Sequence, residues 1–543
     1  VLSPDLEFGD LGDGRFNNCL CEYWYSFFSG STAFNDLHSF YPCTDSLAWS
    51  DILLGFGLPY SLFRLFGADM FLAYKITCVL ILALGLYAMF WLMRGVLGFG
   101  AGASFLGAVI VYCSSTVASL VIHTQLLFIS WIPVTTIFIV RYLRNCAPGG
   151  ATARRRIYGC LAVMSFGLEF LTAFYVAYFH FLILLVMALW WAVLSLVCRR
   201  GFWGRLWAYL RRFWYELFIY IACALVWLIP TLNLYLPVIR KFGARSSDSV
   251  LSLSPNIFEL MLTRQKSGIF YNTVMAVYNR FAPSFSGIKY GESYYGLAAV
   301  SLLLLAAASV YFLVCLIAGL CRRRSLPWVP LLGIVSVLAF WSMYLTIVSN
   351  GHTSFWLHLM RFIPAAGSIR AISRLIAFLS LPAAVSVACM FEDMAKRLGG
   401  KKRLSALPRI LAVIFAALVV FGAQPDYYTT WTASSQRAML AAVPQPPAEC
   451  RTMFIYSVKD SDAKLFAAQL DSWLIALDKH IDTINGYSGE VPSGWNIMDL
   501  TSPDYLDNVA AWVKLNGIDT RSLYMYNVQK HEWISCEKVI EPN

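Results

Sequence analysis

Charge is scarce in this chain. Only 13% of its 543 residues are Asp, Glu, Lys or Arg, and 59% are hydrophobic; in a soluble domain about a quarter of residues carry charge. A water-soluble globule of this length would lack the polar residues to cover itself, which excludes an ordinary soluble fold. Two chemical signatures are missing as well. There is no Gly-rich strand-to-helix phosphate motif and no HExxH zinc motif. The 14 Cys show no repeated CxxC spacing, and most fall in or near apolar runs, where they act as small hydrophobes. Cys450 and Cys536 bracket the C-terminal polar region, and Cys19, Cys21 and Cys43 lie in the first one; disulfides there stay open, because spacing does not pair them. An initiator Met and a signal-peptide pattern are also missing. Val1 opens onto polar sequence, which predicts a piece upstream of it.

What the chain has is long apolar runs. They predict an all-α polytopic transmembrane bundle with spans near 71–93, 96–120, 125–141, 157–173, 176–198, 213–230, 294–320, 327–348, 372–391 and 407–423. The net charge of +11 does not point to nucleic acid, because the basic residues form short clusters between these runs: Arg141, Arg144 and Arg154 to Arg156; Arg199, Arg200, Arg205, Arg211 and Arg212; Arg322 to Arg324; Lys396, Arg397 and Lys401 to Arg403. That is the positive-inside pattern. Threading the spans with these clusters inside puts 1–70, 231–293, 349–371 and 424–543 outside, and parity and charge agree at every large loop. The run from Ile157 to Cys198 would be about 60 Å as one helix, so it is predicted to turn back near Glu169 to Tyr175.

The domain organisation follows from this threading: a first extracytoplasmic loop (1–70), transmembrane helices with basic inner loops (71–230), an outer loop (231–293), further transmembrane helices (294–423) and a C-terminal outer domain (424–543). In the first loop, Asn18–Phe28 and Ile52–Phe66 are amphipathic and predicted to lie along the interface. In the outer loop, Asn256–Thr263 suits a short helix. Beyond the Pro-containing linker Val443–Pro447, residues 450–543 read as a small α/β domain, with strands at Thr452–Val458 and Ser522–Tyr526 and helices at Ala463–Lys479 and Pro503–Leu515.

Several polar residues stand out on the outer side. Gly9-Asp10-Leu11-Gly12-Asp13-Gly14 places carboxylates between glycines, on a tight backbone path that leaves a side chain accessible to an acceptor hydroxyl; a plain Asp/Gly surface turn is the competing reading. Asp45 suits a cap for a helix starting at Ser46, and Asp51 sits beside an apolar run; for both, capping or solvation competes with a cavity role. His123-Thr124-Gln125 occupies an outer turn, either to bind a ligand or to close the turn. Glu169, inside an apolar run, needs a partner or a polar cavity. From Trp356 to Arg374, His358, Arg361, Arg370 and Arg374 lie on the side where arginine is unexpected. Arg370 and Arg374 are four apart, one helical turn, and two such guanidinium forks suit one phosphate; a lipid headgroup contact or a salt bridge to a loop carboxylate is the alternative.

A carboxylate-rich outer loop, an outer arginine pair and a bundle able to hold an isoprenoid tail suit sugar transfer from a lipid phosphate. The layout resembles the GT-C superfamily of polytopic glycosyltransferases, and more closely bacterial YfhO-like or GT-C-like membrane proteins. The elements that carry the resemblance are Gly12-Asp13-Gly14, Glu22-Tyr23-Trp24-Tyr25, the stretch Tyr41 to Asp51, Leu54-Gly55-Phe56-Gly57-Leu58, His123 to Leu127, Ser368 to Arg374 and Asn485 to Gly489. The resemblance implies an inverting enzyme of the bacterial cytoplasmic (inner) membrane, with a polyprenyl-phosphate-linked sugar as donor. Its catalytic carboxylate would be Asp13, with Asp10 second; Arg370, Arg374 and Arg361 would bind the donor phosphate. Asp45, Asp51, His123, Glu169 and His358 are further cavity candidates. The acceptor is left open among glycan, lipid and protein, no cofactor is firmly predicted, and a divalent metal is left open. A lipid or glycan transporter or flippase, or a non-catalytic cell-envelope assembly protein, are the alternatives; the one-sided polar insertions and the lack of an inverted repeat weigh against a transporter.

Overall fold

The structure, a computed structural model, describes residues 5–147, 149–198, 202–243, 245–263, 265–267, 271–281, 292, 294–322, 326–399, 406–422, 424–425, 431–457 and 465–538. Arg199, Arg200, Arg323, Arg324 and residues 401–403 of the predicted inner loops lie outside them.

Two helices, α1 (Asp13–Phe28) and α2 (Leu54–Leu65), form on the two stretches expected to be amphipathic. α2 exposes Leu58, Leu62 and Leu65, a stripe at i, i+4, i+7 suited to a bilayer interface. α1 departs from the expectation: it is buried from Gly14 to Trp24, because its polar residues Arg15, Asn17 and Glu22 find protein partners in place of water.

The bundle then runs through α3 (Met70–Trp91), α4 (Ala101–Tyr112), α5 (Ser115–Leu120), a 3-10 stretch (Thr124–Trp131) continuing into α6 (Ile132–Asn145), α7 (Thr152–Phe170), α8 (Phe174–Cys198), α9 (Phe202–Phe213) and α10 (Glu216–Phe242). The outer loop holds α11 (Ser247–Ser252), α12 (Tyr271–Phe281) and the short strand β1 (Gln265–Ser267); Asn256–Thr263 yields only a 3-10 turn, Glu259–Met261. The bundle resumes with α13 (Ala299–Cys321), α14 (Trp328–Ile347), the single turn α15 (Phe355–Leu359), α16 (Leu375–Leu398) and α17 (Leu407–Gly422), followed by β2 (Gln424–Pro425), which pairs with β1.

Among the described residues eight helices are long and apolar enough to cross a membrane, where ten spans were expected. The other two are helices of different character. α7 carries Arg154 to Arg156 near its start and Glu169 near its end, and α17 is 16 residues long. The chain turns back at 171–173, inside the predicted window. α10 runs 12 residues past its predicted end, through Pro230 and Pro237. The apolar sequence continues beyond both prolines, and in lipid an opened backbone ladder costs more than a kink.

The C-terminal region comprises α18 (Ala433–Ala441), β3 (Thr452–Tyr456), α19 (Leu465–Lys479), β4 (Asp482–Thr483), α20 (Tyr505–Asn516), β5 (Leu523–Asn527) and β6 (Glu532–Ser535). Its mixed sheet has the order β4-β3-β5-β6, with β3 parallel to β4 and β5, and β6 antiparallel to β5. The sheet domain is seated on the first loop. Trp473 Nε1 donates to Leu37 O at 2.8 Å, Trp512 Nε1 to Tyr41 O at 2.9 Å, and Phe40 N to Asn485 O at 2.9 Å. Arg15, 2% exposed, donates to Ala467 O, Gln436 Oε1 and Asp471. A buried guanidinium persists only with its donors filled, so Arg15 ties α1 to α18 and α19.

Candidate functional site

The site begins with how residues 8–14 fold. Gly9 has φ +91°, and a Cβ on it would lie 2.3 Å from Gly14 Cα; a Cβ on Gly14 would lie 2.6 Å from Phe8 O. Only glycine at both positions lets the two backbones touch. Asp10 Oδ1 accepts from Gly12 N at 2.9 Å and Asp13 N at 2.7 Å, filling N–H groups at the start of α1 that the helix leaves open. Asp13 is thereby set at the first turn with its carboxylate turned toward His123.

His123 Nδ1 lies 2.5 Å from Asp13 Oδ2, and Tyr487 OH donates to Asp13 Oδ1 at 3.3 Å. On the far edge of the imidazole, Nε2 is 3.2 Å from Arg374 Nη2 and 3.5 Å from Glu292 Oε1. Glu292 takes Arg374 in a fork, Nε to Oε2 at 3.0 Å and Nη2 to Oε1 at 2.5 Å. Arg374 also sits over the Tyr175 ring at 5.3 Å. Asn17 Nδ2 fixes the 123–125 turn by donating to Thr124 Oγ1 at 2.7 Å and Gln125 Oε1 at 2.8 Å. The quartet Asp13, His123, Glu292 and Arg374 is thus balanced in charge when all four are ionised.

The electrostatics follow from this arrangement. Burial pushes the Asp13 carboxyl up, but the hydrogen bond and charge of His123, with the charge of Arg374, outweigh it and hold Asp13 below the usual carboxylate range. Glu292 is likewise held well below its ordinary value, the Arg374 charge and the His123 bond overcoming burial. For His123, burial and Arg374 push down, and the Asp13 and Glu292 contacts push up by more, leaving it raised. Asp51 is the contrast: burial raises it to about 6, against the hydrogen bond it accepts from Phe174 N at 2.8 Å.

These groups border a cavity of about 560 Å³. Its lining combines polar residues, among them Asp13, Asp51, Gln125, Arg370, Arg374 and Tyr487, with apolar ones, among them Phe170, Phe174, Trp227, Leu228, Leu232 and Leu236. The apolar part is built by α7, α8 and α10. α10 packs on α7 and on the turn Leu47–Trp49, and leaves Leu217, Phe218, Val226 and Ile229 exposed. It is therefore an outer, lipid-facing wall between the cavity and the surroundings. Arg245 pairs with Glu490, joining the segment after α10 to the sheet domain across the rim of the cavity.

The singled-out residues separate cleanly. Asp13, Asp51, Arg370 and Arg374 line this cavity, and His123 contacts two of them. Arg370 and Arg374 do not share a helical turn: Arg370 precedes the 3-10 turn Ile372–Arg374, and its backbone N donates to Tyr175 OH at 2.9 Å. Arg374 is occupied by Glu292, whereas the Arg370 guanidinium has no ion pair or hydrogen bond among the described residues. Asp10 caps backbone. Asp45 does not cap at Ser46; it is 53% exposed and 3.8 Å from Lys241. Asp51 caps a helix other than the neighbouring one, the start of α8. Glu169 is fully buried away from the cavity, accepting from Thr135 Oγ1 at 2.6 Å and pairing with His180 Nδ1 at 2.8 Å in place of an arginine. His358 and Arg361 are exposed on and after α15, outside the cavity lining. Glu292 and Tyr175 were not anticipated, and Tyr487 was noted only as part of Asn485 to Gly489. The signal for Glu292 was indirect: outer arginines demand a carboxylate, and Glu292 closes the loop before α13. Among the described residues no group of three or more His, Cys, Asp or Glu is arranged to hold a metal ion.

No family model matches the chain, and no curated protein matches it in sequence. Among solved structures it is similar to ArnT from Cupriavidus metallidurans in the apo state (13% identity, TM-score 0.38, covering 89% of this chain and 82% of that one). ArnT from the same organism bound to undecaprenyl phosphate gives 13% identity and a TM-score of 0.39, covering 88% and 82%. The arabinofuranosyltransferase AftD from Mycobacteria gives 12% identity and a TM-score of 0.41, covering 83% of this chain but only 28% of that one.

Proposed function

We propose that this chain is an inverting GT-C-type glycosyltransferase of a bacterial cytoplasmic membrane, moving a sugar from a polyprenyl-phosphate donor to an acceptor on the extracytoplasmic side. The observation that carries the reading is the mixed lining of the cavity, in which a carboxylate and a guanidinium unpaired among the described residues share one volume with apolar side chains of a helix whose other face is exposed. A lipid phosphate has that same two-part chemistry, and it reaches such a site from the bilayer without a nucleotide-binding fold.

In this mechanism Asp13, ionised at neutral pH, takes the proton from the acceptor hydroxyl. The acceptor oxygen bonds to the anomeric carbon from the face opposite the phosphate, the bond from that carbon to the phosphate oxygen breaks, and the lipid phosphate leaves with the electron pair. Arg370 offsets the charge that grows on the departing phosphate. Arg374 contributes less directly, since Glu292 neutralises it; it holds Glu292, whose Oε1 faces Nε2 of His123, and His123 in turn holds Asp13. Asp51 belongs to the cavity wall and caps α8. The acceptor is a glycan, a lipid or a protein.

The test is a reconstituted assay in lipid vesicles with a polyprenyl-phosphate sugar. Asp13→Asn is expected to lower release of the sugar by about 10²–10⁴-fold in a protein that still folds cooperatively. Full turnover by the variant removes Asp13 as the base, and wild-type movement of the lipid across sealed vesicles without sugar release would replace the enzyme by a transporter.

A further inference from the structure

The residues that the cavity leaves unused point elsewhere. His358 and Arg361 are exposed and have no hydrogen-bond or ion-pair partner among the described residues. They flank Leu359 in sequence, and Leu359 and Ile363 line a second volume of about 530 Å³. Its lining is almost wholly apolar: Leu189 and Val193 on one side from α8, Met343 and Thr346 on the other from α14, closed by Trp356 and Ile363. It runs along α8 from Leu182 to Val193, about 16 Å of helix rise and roughly half of a bilayer's hydrocarbon thickness. Leu189 is 56% exposed and Val193 47%, so the groove opens sideways from the bundle.

A second observation at the same place points to a ligand. Trp356 is 2% exposed, forms part of the groove wall, and its indole N–H has no hydrogen-bond partner among the described residues. A buried indole N–H ordinarily finds an acceptor. Beside it Phe355 and Phe362 are 59% and 83% exposed, as aromatic residues are where a bilayer meets water.

We infer that this groove binds an anionic phospholipid of the surrounding bilayer, with an acyl chain between α8 and α14 and the headgroup against His358 and Arg361. Charge decides the occupant. Arginine is depleted on the side of the membrane to which threading assigns this segment, and an unpaired one beside an apolar groove matches a lipid with a negative head. The groove and the donor cavity share no lining residue: the cavity takes Phe174 and Tyr175 at the start of α8, the groove begins two turns further on at Leu182, and the inference holds whether or not the chain transfers sugar.

Native mass spectrometry of the full chain in detergent, with phosphatidylglycerol or phosphatidylcholine of matched chains added, tests the inference. Wild type is expected to retain one phosphatidylglycerol about fivefold better than phosphatidylcholine. The double variant His358→Gln/Arg361→Gln, confined to exposed side chains, should lose that preference. Val193→Trp should lower retention of both lipids by filling the groove, and Arg370→Gln should change neither. Equal retention of the two lipids by wild type, an unchanged preference in the double variant, or loss of the preference in Arg370→Gln overturns the assignment; in the last case the lipid sits in the donor cavity. None of these readouts depends on turnover, so failure here and failure of the glycosyltransferase reading are told apart.

Discussion

Two histidine–carboxylate pairs are built into this bundle, and they differ in what lies beyond them. His123 with Asp13 and His180 with Glu169 have the same chemistry and nearly the same length, 2.5 and 2.8 Å. Asp13 is a quarter exposed and lines the 560 Å³ cavity; Glu169 and His180 are 0% and 1% exposed and line neither that cavity nor the apolar groove. Thr135 of α6, Ser165 and Glu169 of α7 and His180 of α8 form one hydrogen-bonded chain, which pins three helices where no water competes. An ionisable group inside an apolar run is a functional candidate by default. The sealed pair shows that the default turns on access: a base that meets no substrate is a fastener.

The largest effects break the comparison outright. Asp13→Asn is expected to lower kcat by about 10²–10⁴-fold, the usual weight of a general base, in a protein that still folds but melts somewhat lower for want of the His123 ion pair. Glu169→Gln should do the reverse, costing about 1–3 kcal/mol as part of a buried network loses its acceptor while turnover per folded molecule stays at the wild-type level. Steady-state kinetics beside thermal melting reads both, and a loss of kcat in folded Glu169→Gln would place the second pair in the mechanism.

The histidines separate the pairs by pH. Asp13 is depressed below 3.8, so its contribution to stability is present above that value and fades as pH falls through the lower folded one. His123 is raised above 6.5, so its contribution is complete below 6.5 and lost as pH rises through the higher folded one. The pair is therefore strongest between the two values. In His123→Gln the charge that offsets the burial of Asp13 is gone; the acid limb of kcat/KM should move up by about one pH unit or more, and kcat should drop about tenfold. His180→Gln should leave the limb where it is.

Much of this was legible in the residues. Scarce charge and clustered arginines give a helical bundle, and the α/β pattern after Cys450 gives the sheet domain, because both rest on periodicity and composition within single segments. Asp13, His123, Arg370 and Arg374 were visible as polar residues that their surroundings do not explain. What was hidden depends on contacts between distant segments. That Glu292 occupies Arg374, that Asp51 caps α8 at 123 residues' separation, and that Arg15 is sunk between α1 and α19 follow from packing. The extra turns of α10 were hidden for another reason: proline reads as an end in water, and an apolar medium lets the helix continue.

Asp51 sharpens the comparison within the cavity itself. Its carboxyl is raised to about 6 by burial, the opposite of Asp13, so ionising it costs stability: the protein should gain as pH falls through about 6, where the carboxyl protonates. Asp51→Asn, which keeps an oxygen for Phe174 N, should melt several degrees higher than wild type at pH 8, by about half that margin at pH 5, and no higher below pH 3.8. If the advantage is as large at pH 5 as at pH 8, charge is not its source.

The smallest effect decides which carboxylate of the Gly9–Gly14 segment does chemistry. Asp10 and Asp13 are three residues apart, yet Asp10 spends Oδ1 on the backbone of Gly12 and Asp13. Asn supplies the same acceptor and is as good a cap, whereas Ala supplies none. Asp10→Asn should therefore match wild type in both melting and turnover, and Asp10→Ala should cost about 1 kcal/mol of stability with a modest fall in kcat as Asp13 loses its fixed helix start. A base would respond alike to both changes, since Asn cannot accept a proton at neutral pH and would fail as completely as Ala. Equal loss of turnover in the two variants would move the proton transfer from Asp13 to Asp10.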